Sequence, residues 1–151
     1  MRRAYILAIA GAIIVFLVVS ALLARVFSAN SAEQSAITSL VKDEGRGDTN
    51  AVIGDIAECR TSPACRTRAA ENATALRHSG AVSIIQIQPS TSFSIAGTEG
   101  TARVAWSVAG SLPIVQCVRV RRTGNAISGL NVQLLDVSRR IKSDTACPAR
   151  Y

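Results

Sequence analysis

Histidine and aromatic side chains are scarce in this chain of 151 residues, which contains one histidine, His78, and six aromatic residues in all. Zinc sites need histidine or cysteine ligands at chelating spacings, and no Cys-x-x-Cys pair is present, so we predict no metal site and no cofactor. Binding of single-stranded nucleic acid needs aromatic platforms among basic side chains, which so few rings do not supply. The composition therefore argues against metal-dependent and nucleic-acid-binding proteins.

Charge is missing from residues 5–24. About twenty residues in a helix reach about 30 Å, the thickness of a bilayer's hydrocarbon core. Two arginines precede the run and Arg25 follows it, so the positive-inside rule predicts a single span with its N-terminus in the cytoplasm. We therefore predict a transmembrane anchor over residues 1–27, with the rest of the chain at the cell membrane on the extracytoplasmic side. Cleavage after Ser31, within a run of small residues, remains open.

The remainder of the chain has room for one domain. Removing the three arginines of the anchor from the net charge of +7 leaves +4 for this part. The small-residue stretch 28–35 is predicted to be a short linker, 36–143 a domain, and 144–151 a tail tied to the domain by a disulfide.

All four cysteines, Cys59, Cys65, Cys117 and Cys147, follow the anchor. An even number on an oxidising side predicts two disulfides. Three pairings exist, and we favour Cys59–Cys65 with Cys117–Cys147. A redox-active Cys59–Cys65 pair stays an alternative because Cys65 falls in the first turn of a predicted helix beside arginines.

Hydrophobic periodicity changes from helical to strand-like near residue 81. Helices are predicted over 31–48, from Asp48 or Asn50 onward, and from Ser62, where Pro63 occupies the first helical position. Strands are predicted over 81–88, 91–97, 101–110 and 112–122, with a turn at 123–125 before a last strand. This order predicts an α+β fold in which helices cover a curved antiparallel sheet of four or five strands.

The membrane helix, the helix–turn–helix opening around "KDEGRGDTNAV" (42–52) and the consecutive hairpins ending in a Cys-bearing tail resemble the nuclear transport factor 2-like (cystatin-like) superfamily. More narrowly, the chain resembles single-pass actinobacterial membrane proteins, including mammalian-cell-entry-associated proteins. The resemblance covers about residues 31–143. It implies a cone-shaped cavity between sheet and helices, and a role in ligand binding, assembly or, occasionally, catalysis.

A basic set follows the middle of the predicted sheet, and its members are Arg119, Arg121, Arg122, Arg139, Arg140 and Lys142. The alternation places Arg119 and Arg121 on one strand face, with Arg122 at the hairpin tip. Convergence of these side chains would suit phospholipid headgroups, an acidic partner or an anionic ligand. The alternative is an exposed, solvated face.

Few residues fit catalysis. A catalytic His78 needs an orienting carboxylate, and the nearest acid along the chain is Glu71. Asp55 and Glu58 are three apart on a predicted helix, where a solvated face is the simpler reading. Trp106 is the only pocket candidate in the sheet, which offers no carboxylate before Asp136.

These patterns favour a membrane-anchored extracytoplasmic binding or assembly module, accessory to a membrane or envelope complex, with a protein partner and no enzymatic activity. The alternative is a small-molecule or lipid carrier, or a sensor, that uses the cavity between sheet and helices.

Overall fold

The computed structural model describes residues 2–90, 99–125, 129–142 and 145–148, and the side chains of 9–23, 30–90, 99–123, 131–142 and 145–148. Its helices are α1 (Arg2–Arg46), α2 (Thr49–Asp55) and α3 (Pro63–Ala75), with a short 3-10 helix at Ala57–Arg60. Four strands follow, β1 (Val82–Gln88), β2 (Glu99–Val108), β3 (Ile114–Asn125) and β4 (Gly129–Val137). The predicted α+β class is confirmed. Within the described residues, no helix combines the length and hydropathy that crossing a membrane requires.

The stretch 28–35, predicted to be a short linker, is helical, because α1 continues through it without a break. The stretch contains neither proline nor glycine, and its alanine, glutamate and glutamine residues are good helix formers. Contacts to the sheet also begin inside it, at Asn30 and Glu33. The predicted anchor segment and the first helix of the domain are therefore one helix of 45 residues.

The turn between α1 and α2 follows the sequence closely. Gly47 takes φ of 74°, a left-handed conformation that glycine adopts without a steric penalty. The predicted cap Asp48 then accepts a hydrogen bond from the Ala51 amide at 3.0 Å. At α3, Ser62 accepts one from the Cys65 amide at 3.3 Å, and Pro63 occupies the first turn. Both predicted helix starts are confirmed.

The sheet is antiparallel with the strands in sequence order, β1-β2-β3-β4. Trp106 lies opposite Ile84 on one side and Ile114 on the other. Irregularities in register fall between Ile84 and Gln86 and between Arg119 and Val120. Such bulges bend a strand and increase its twist, as a curved sheet requires.

Strand β3 is longer than predicted. Residues 123–125, expected to form the hairpin turn, pair with the start of β4 instead, with Thr123 opposite Asn131. The pairing of these three residues with β4 outweighs the preference of the Thr-Gly-Asn sequence for a turn. The strand predicted at 91–97 lies outside the described residues.

The helices pack on one face of the sheet, and α1 contacts all four strands. Alternate residues of β2 supply that face, including Val104, Trp106 and Val108. The other face of β3 is buried at Val115 and Cys117. Beside the start of β3, the segment after β4 continues the antiparallel pairing, and the Ile141 amide donates to the Val115 carbonyl at 2.8 Å.

Both favoured disulfides are present, Cys59–Cys65 and Cys117–Cys147. The first joins the 3-10 helix to α3, and the second holds the tail against β3. Loop-closure estimates give about 2.4 kcal/mol for a loop of about seven residues and about 3.7 kcal/mol for one of about 31. The tail is therefore part of the domain as far as Pro148, where its description ends.

Gly45 allows the end of α1 to touch the sheet, which makes a sharp stability test. A Cβ there would lie 2.5 Å from Val82 Cγ2, whereas one on Gly54 would meet nothing within 4 Å. Gly45→Ala should destabilise the domain, since overpacking costs about 1–3 kcal/mol against about 1 kcal/mol gained in helix propensity. The control Gly54→Ala, in the last turn of α2 and with open space for a Cβ, should stabilise it by up to about 1 kcal/mol.

Urea unfolding in mild detergent, followed by Trp106 fluorescence, measures both variants of the full chain. A Gly45→Ala protein as stable as Gly54→Ala would contradict this close approach.

Candidate functional site

The domain half of α1 presents one stripe to the sheet. Its buried residues recur at helical spacing, namely Glu33, Ile37, Leu40, Val41 and Glu44. A carboxyl group stands at each end of this apolar stripe, and both carboxylates have no exposed surface. Because a buried charge is costly unless it is paired, the partners of the two acids determine what each end can do.

Glu33 is fully partnered. Its Oε2 accepts from Arg122 Nε at 2.7 Å, and its Oε1 accepts from the Ser90 amide at 2.8 Å. Arg122 also donates to Asn30 Oδ1 at 3.1 Å. This ion pair joins α1 to β3 and to the residues after β1, and removing one partner of such a pair typically costs about 3–5 kcal/mol.

Glu44, three turns further along, has only neutral partners. Its Oε1 accepts from Asn72 Nδ2 at 3.0 Å, and its Oε2 makes no hydrogen bond among the described residues. Asn72 Nδ2 also donates to the Ser138 carbonyl, 3.0 Å away. Gln116, which has no exposed surface, completes the Glu44 cluster, defined here as Glu44, Asn72, Gln116, Ser138 and Trp106.

Burial raises the pKa of Glu44 to about 7, against the opposing effect of the neighbouring Gln116 and Asn72 amides. A carboxyl in this position is close to half protonated at neutral pH. The Glu44 cluster therefore holds an ionisable proton inside the domain, where the surrounding dipoles respond to it.

Trp106, the predicted pocket candidate, has no exposed surface. Its Nε1 donates to Gln116 Oε1 at 2.8 Å, and Gln116 Nε2 donates to the Ser138 carbonyl at 3.3 Å. The ring is a core residue whose polar edge belongs to the Glu44 cluster.

The members of the basic set contact several different partners, although Arg119 and Arg121 both lie beside Glu99. Arg119 Nη2 lies 3.2 Å from Glu58 Oε1, and Arg121 Nη2 lies 2.5 Å from Glu99 Oε1. Binding by Arg121 lowers the pKa of Glu99. Arg122 is the clear correction: it lies inside the continuing strand and not at a hairpin tip, and it pairs with Glu33 in the interior.

The three later members of the set also separate. Arg139 Nη2 lies 2.6 Å from Glu71 on α3, whereas Arg140 Nη2 donates to the Pro113 carbonyl at 3.0 Å. Lys142 is exposed. Arg139 and Arg140 therefore contact different parts of the domain.

The acid–base candidates from the sequence are also separated. Helix α2 ends at Asp55, and Glu58 lies in the 3-10 helix, so they do not share a helix. Burial, followed by the charge of Asp43, raises the pKa of Asp55. His78 is exposed beyond the end of α3, and its Nδ1 lies 2.8 Å from the Leu76 carbonyl, which can only accept.

Asp136, the one sheet carboxylate anticipated from the sequence, is buried and lies 3.1 Å from Arg68. Burial nevertheless raises its pKa. No group of three or more histidine, cysteine, aspartate or glutamate side chains is placed to hold a metal ion in the described part of the chain.

Three openings lie near these groups. The largest, of about 640 Å³, lies along α3 beside Glu71. A second, of about 470 Å³, lies between the end of α3 and the β2–β3 turn, and His78 and Arg140 line it. A smaller one of about 220 Å³ lies beside α2 and β4, lined in part by Asp55 and Arg60.

Glu33 and Glu44 were missed by sequence reasoning, although a signal exists. Each lies four or three residues from an apolar member of the α1 stripe, so helical spacing alone places both on the buried face. An acid inside an apolar stripe predicts a buried partner. Glu33 was missed because it falls within 28–35, the stretch assigned as a linker.

Comparisons with protein-family models, with characterised proteins and with solved structures return no match to this chain.

The raised pKa of Glu44 predicts a pH-dependent stability. The folded state holds this proton up to about pH 7, whereas the unfolded carboxyl releases it near 4.5, the ordinary pKa of a glutamate. Folding is therefore opposed increasingly as pH rises through this window, by about 3 kcal/mol once both states are ionised. Glu44→Gln removes this term, so the stability of the variant relative to the native protein should rise by that amount between pH 4.5 and pH 8.

Urea unfolding of both proteins across this pH range, with the exposed Glu71→Gln as the control, measures the difference. Parallel pH profiles for native protein and Glu44→Gln would show that Glu44 does not hold the proton.

Proposed function

We propose that this protein is a single-pass membrane protein whose domain lies outside the cytoplasm and acts as a binding and assembly module of a larger membrane or envelope complex, without enzymatic activity. The observation that carries the proposal is α1, which is one unbroken helix with two different halves. The N-terminal half contains the uncharged run of residues 5–24. The C-terminal half packs against the sheet and so joins this run to the domain.

The described part of the N-terminal half of α1 is apolar and packs against nothing. Large hydrophobic side chains from Ile9 to Leu23 are exposed, with Phe16 at 69%. Ten such side chains among fifteen residues lie on every side of the helix, since each residue is rotated by about 100° from the last. A helix that is hydrophobic all round is covered by lipid or by other apolar helices. The uncharged run starts before the first described side chain, and its full length matches a bilayer.

The two disulfides support an exported domain, because such bonds form and persist in oxidising compartments. Four cysteines and two bridges leave no thiol for redox chemistry in the native pairing. The arginines before the run favour a cytoplasmic N-terminus. Together these features support the cell membrane as the location and the extracytoplasmic side as the position of the domain.

The continuity of α1 supports a fixed attachment over a mobile one. Because Glu33 and Arg122 hold α1 to the sheet, the domain cannot turn about the helix without breaking a buried ion pair. A domain held at one height and in one orientation is suited to contact a neighbouring complex, whose surface is also fixed relative to the bilayer.

Membership of the nuclear transport factor 2-like superfamily is part of this proposal. Three helices against one face of an antiparallel sheet, and the Gly47–Asp48 turn between the first two, support it. A ligand carrier is the second candidate, favoured by the opening at the end of α3.

The assembly role is tested by crosslinking in native membranes, purification in mild detergent and mass spectrometry of what is recovered. Ser31 is an exposed position in α1. Ser31→Pro kinks the helix between its halves, because proline removes one hydrogen bond and clashes with the preceding turn, while Ser31→Ala keeps it straight.

All three proteins should remain in the membrane after alkaline washing, and a stoichiometric partner should accompany native protein and Ser31→Ala but not Ser31→Pro. Release by the wash would overturn the anchor. Recovery of the protein alone in every case would overturn assembly, and a partner retained by Ser31→Pro would show that orientation is not what assembly needs.

A further inference from the structure

The opening of about 470 Å³, lined by His78 and Arg140, lies at the end of the domain remote from the apolar half of α1. His78 at its edge donates its backbone amide to the Gly45 carbonyl, at the last turn of α1. From Leu23 to Gly45 the helix rises about 33 Å. The opening therefore faces away from the apolar segment, toward solutes and not toward the lipid that would surround that segment.

Arg140 differs from the arginines that pair with acids. Arg119, Arg121, Arg122 and Arg139 each lie within 3.2 Å of a carboxylate oxygen. Arg140 lines the opening, makes one hydrogen bond to the Pro113 carbonyl and has no carboxylate partner in the described ranges. Its guanidinium group is thus held in place at one nitrogen while its other donors stay available.

The second polar group is His78. A carbonyl oxygen only accepts, so Nδ1 carries a proton and donates to Leu76. This contact fixes the imidazole, and in the neutral ring Nε2 is then an acceptor, so the donor for an anion comes from Arg140. The opening therefore has two nitrogen-bearing side chains along its lining and no carboxylate.

The rest of the lining is mixed. Ser79 and Ser111 add polar groups to it. Of its larger apolar residues, Leu76 and Ile114 are almost fully buried, whereas Leu112 is 75% exposed on the turn between β2 and β3. A volume of about 470 Å³ falls in the range of small-molecule sites, where apolar walls and a few polar groups fix a ligand's orientation.

We propose that this opening binds a small amphiphilic anion, with a carboxylate or phosphate head on Arg140 and an apolar tail against Leu112 and the neighbouring apolar residues of the lining. Guanidinium groups bind both kinds of head through charge-assisted hydrogen bonds. Only the position of the site relative to the bilayer rests on the function proposed above. The binding itself does not depend on it.

The test is equilibrium dialysis of radiolabelled octanoate against the full chain in nanodiscs of a neutral lipid, with empty discs measuring partition into lipid. Octyl phosphate distinguishes the two heads, octanamide removes the charge, and inorganic phosphate removes the tail. Arg140→Gln is the test variant. Arg139→Gln is the matched control, because it removes the same charge from the adjacent exposed residue.

We expect saturable binding of one octanoate or octyl phosphate per chain, weakened about tenfold or more by Arg140→Gln and by less than about twofold by Arg139→Gln. Octanamide and inorganic phosphate should bind at least about tenfold more weakly than octanoate. The proposal is overturned if octanoate binding does not exceed that of empty discs, if octanamide binds equally well, or if the two variants lose equal affinity. A protein that does not enter the discs contradicts the anchor alone, and the dialysis then proceeds on the free chain.

Discussion

The ion pair between Glu33 and Arg122 is the contact on which the arrangement of the molecule depends. It places the helix that carries the apolar run against β3, with Ser90 as a third point of attachment. From there the stripe of Ile37, Leu40 and Val41 follows the sheet to Gly45, where the absence of a side chain lets the helix reach Val82 and Trp106. One helix thus serves as both the core of the domain and its connection to the apolar segment.

The two ends of that stripe solve the same physical problem differently. A buried carboxyl group either pairs with an opposite charge or keeps its proton to a higher pH. Glu33 pairs with Arg122, whereas Glu44 has no cationic partner among the residues described and its pKa is raised. Neutral amides surround Glu44, so its proton is retained to a pH at which an exposed glutamate has lost it. The Glu44 end of the α1 stripe is therefore sensitive to pH.

Sequence reasoning predicted most of the domain because its signals are local. Asp48 and Ser62 cap helices wherever they precede helical stretches, and alternation along β2 reports its buried face directly. The arginines were not predictable in this way, since Arg119, Arg122 and Arg139 find acids 61, 89 and 68 residues away. Such pairs depend on register and on where strands end, and the prolongation of β3 by three residues moved Arg122 from an expected tip to the interior.

The account's central claim is that α1 passes from the apolar run into the domain without a hinge. The distance between spin labels on Ala21→Cys and Ser39→Cys, measured by pulsed electron resonance on the full chain in nanodiscs, tests it most directly. All four native cysteines are in disulfides, so the labels attach only at these exposed positions. A continuous helix predicts one narrow distribution centred near about 27 Å between the labelled backbones. A broad distribution, as a flexible linker gives, would contradict it.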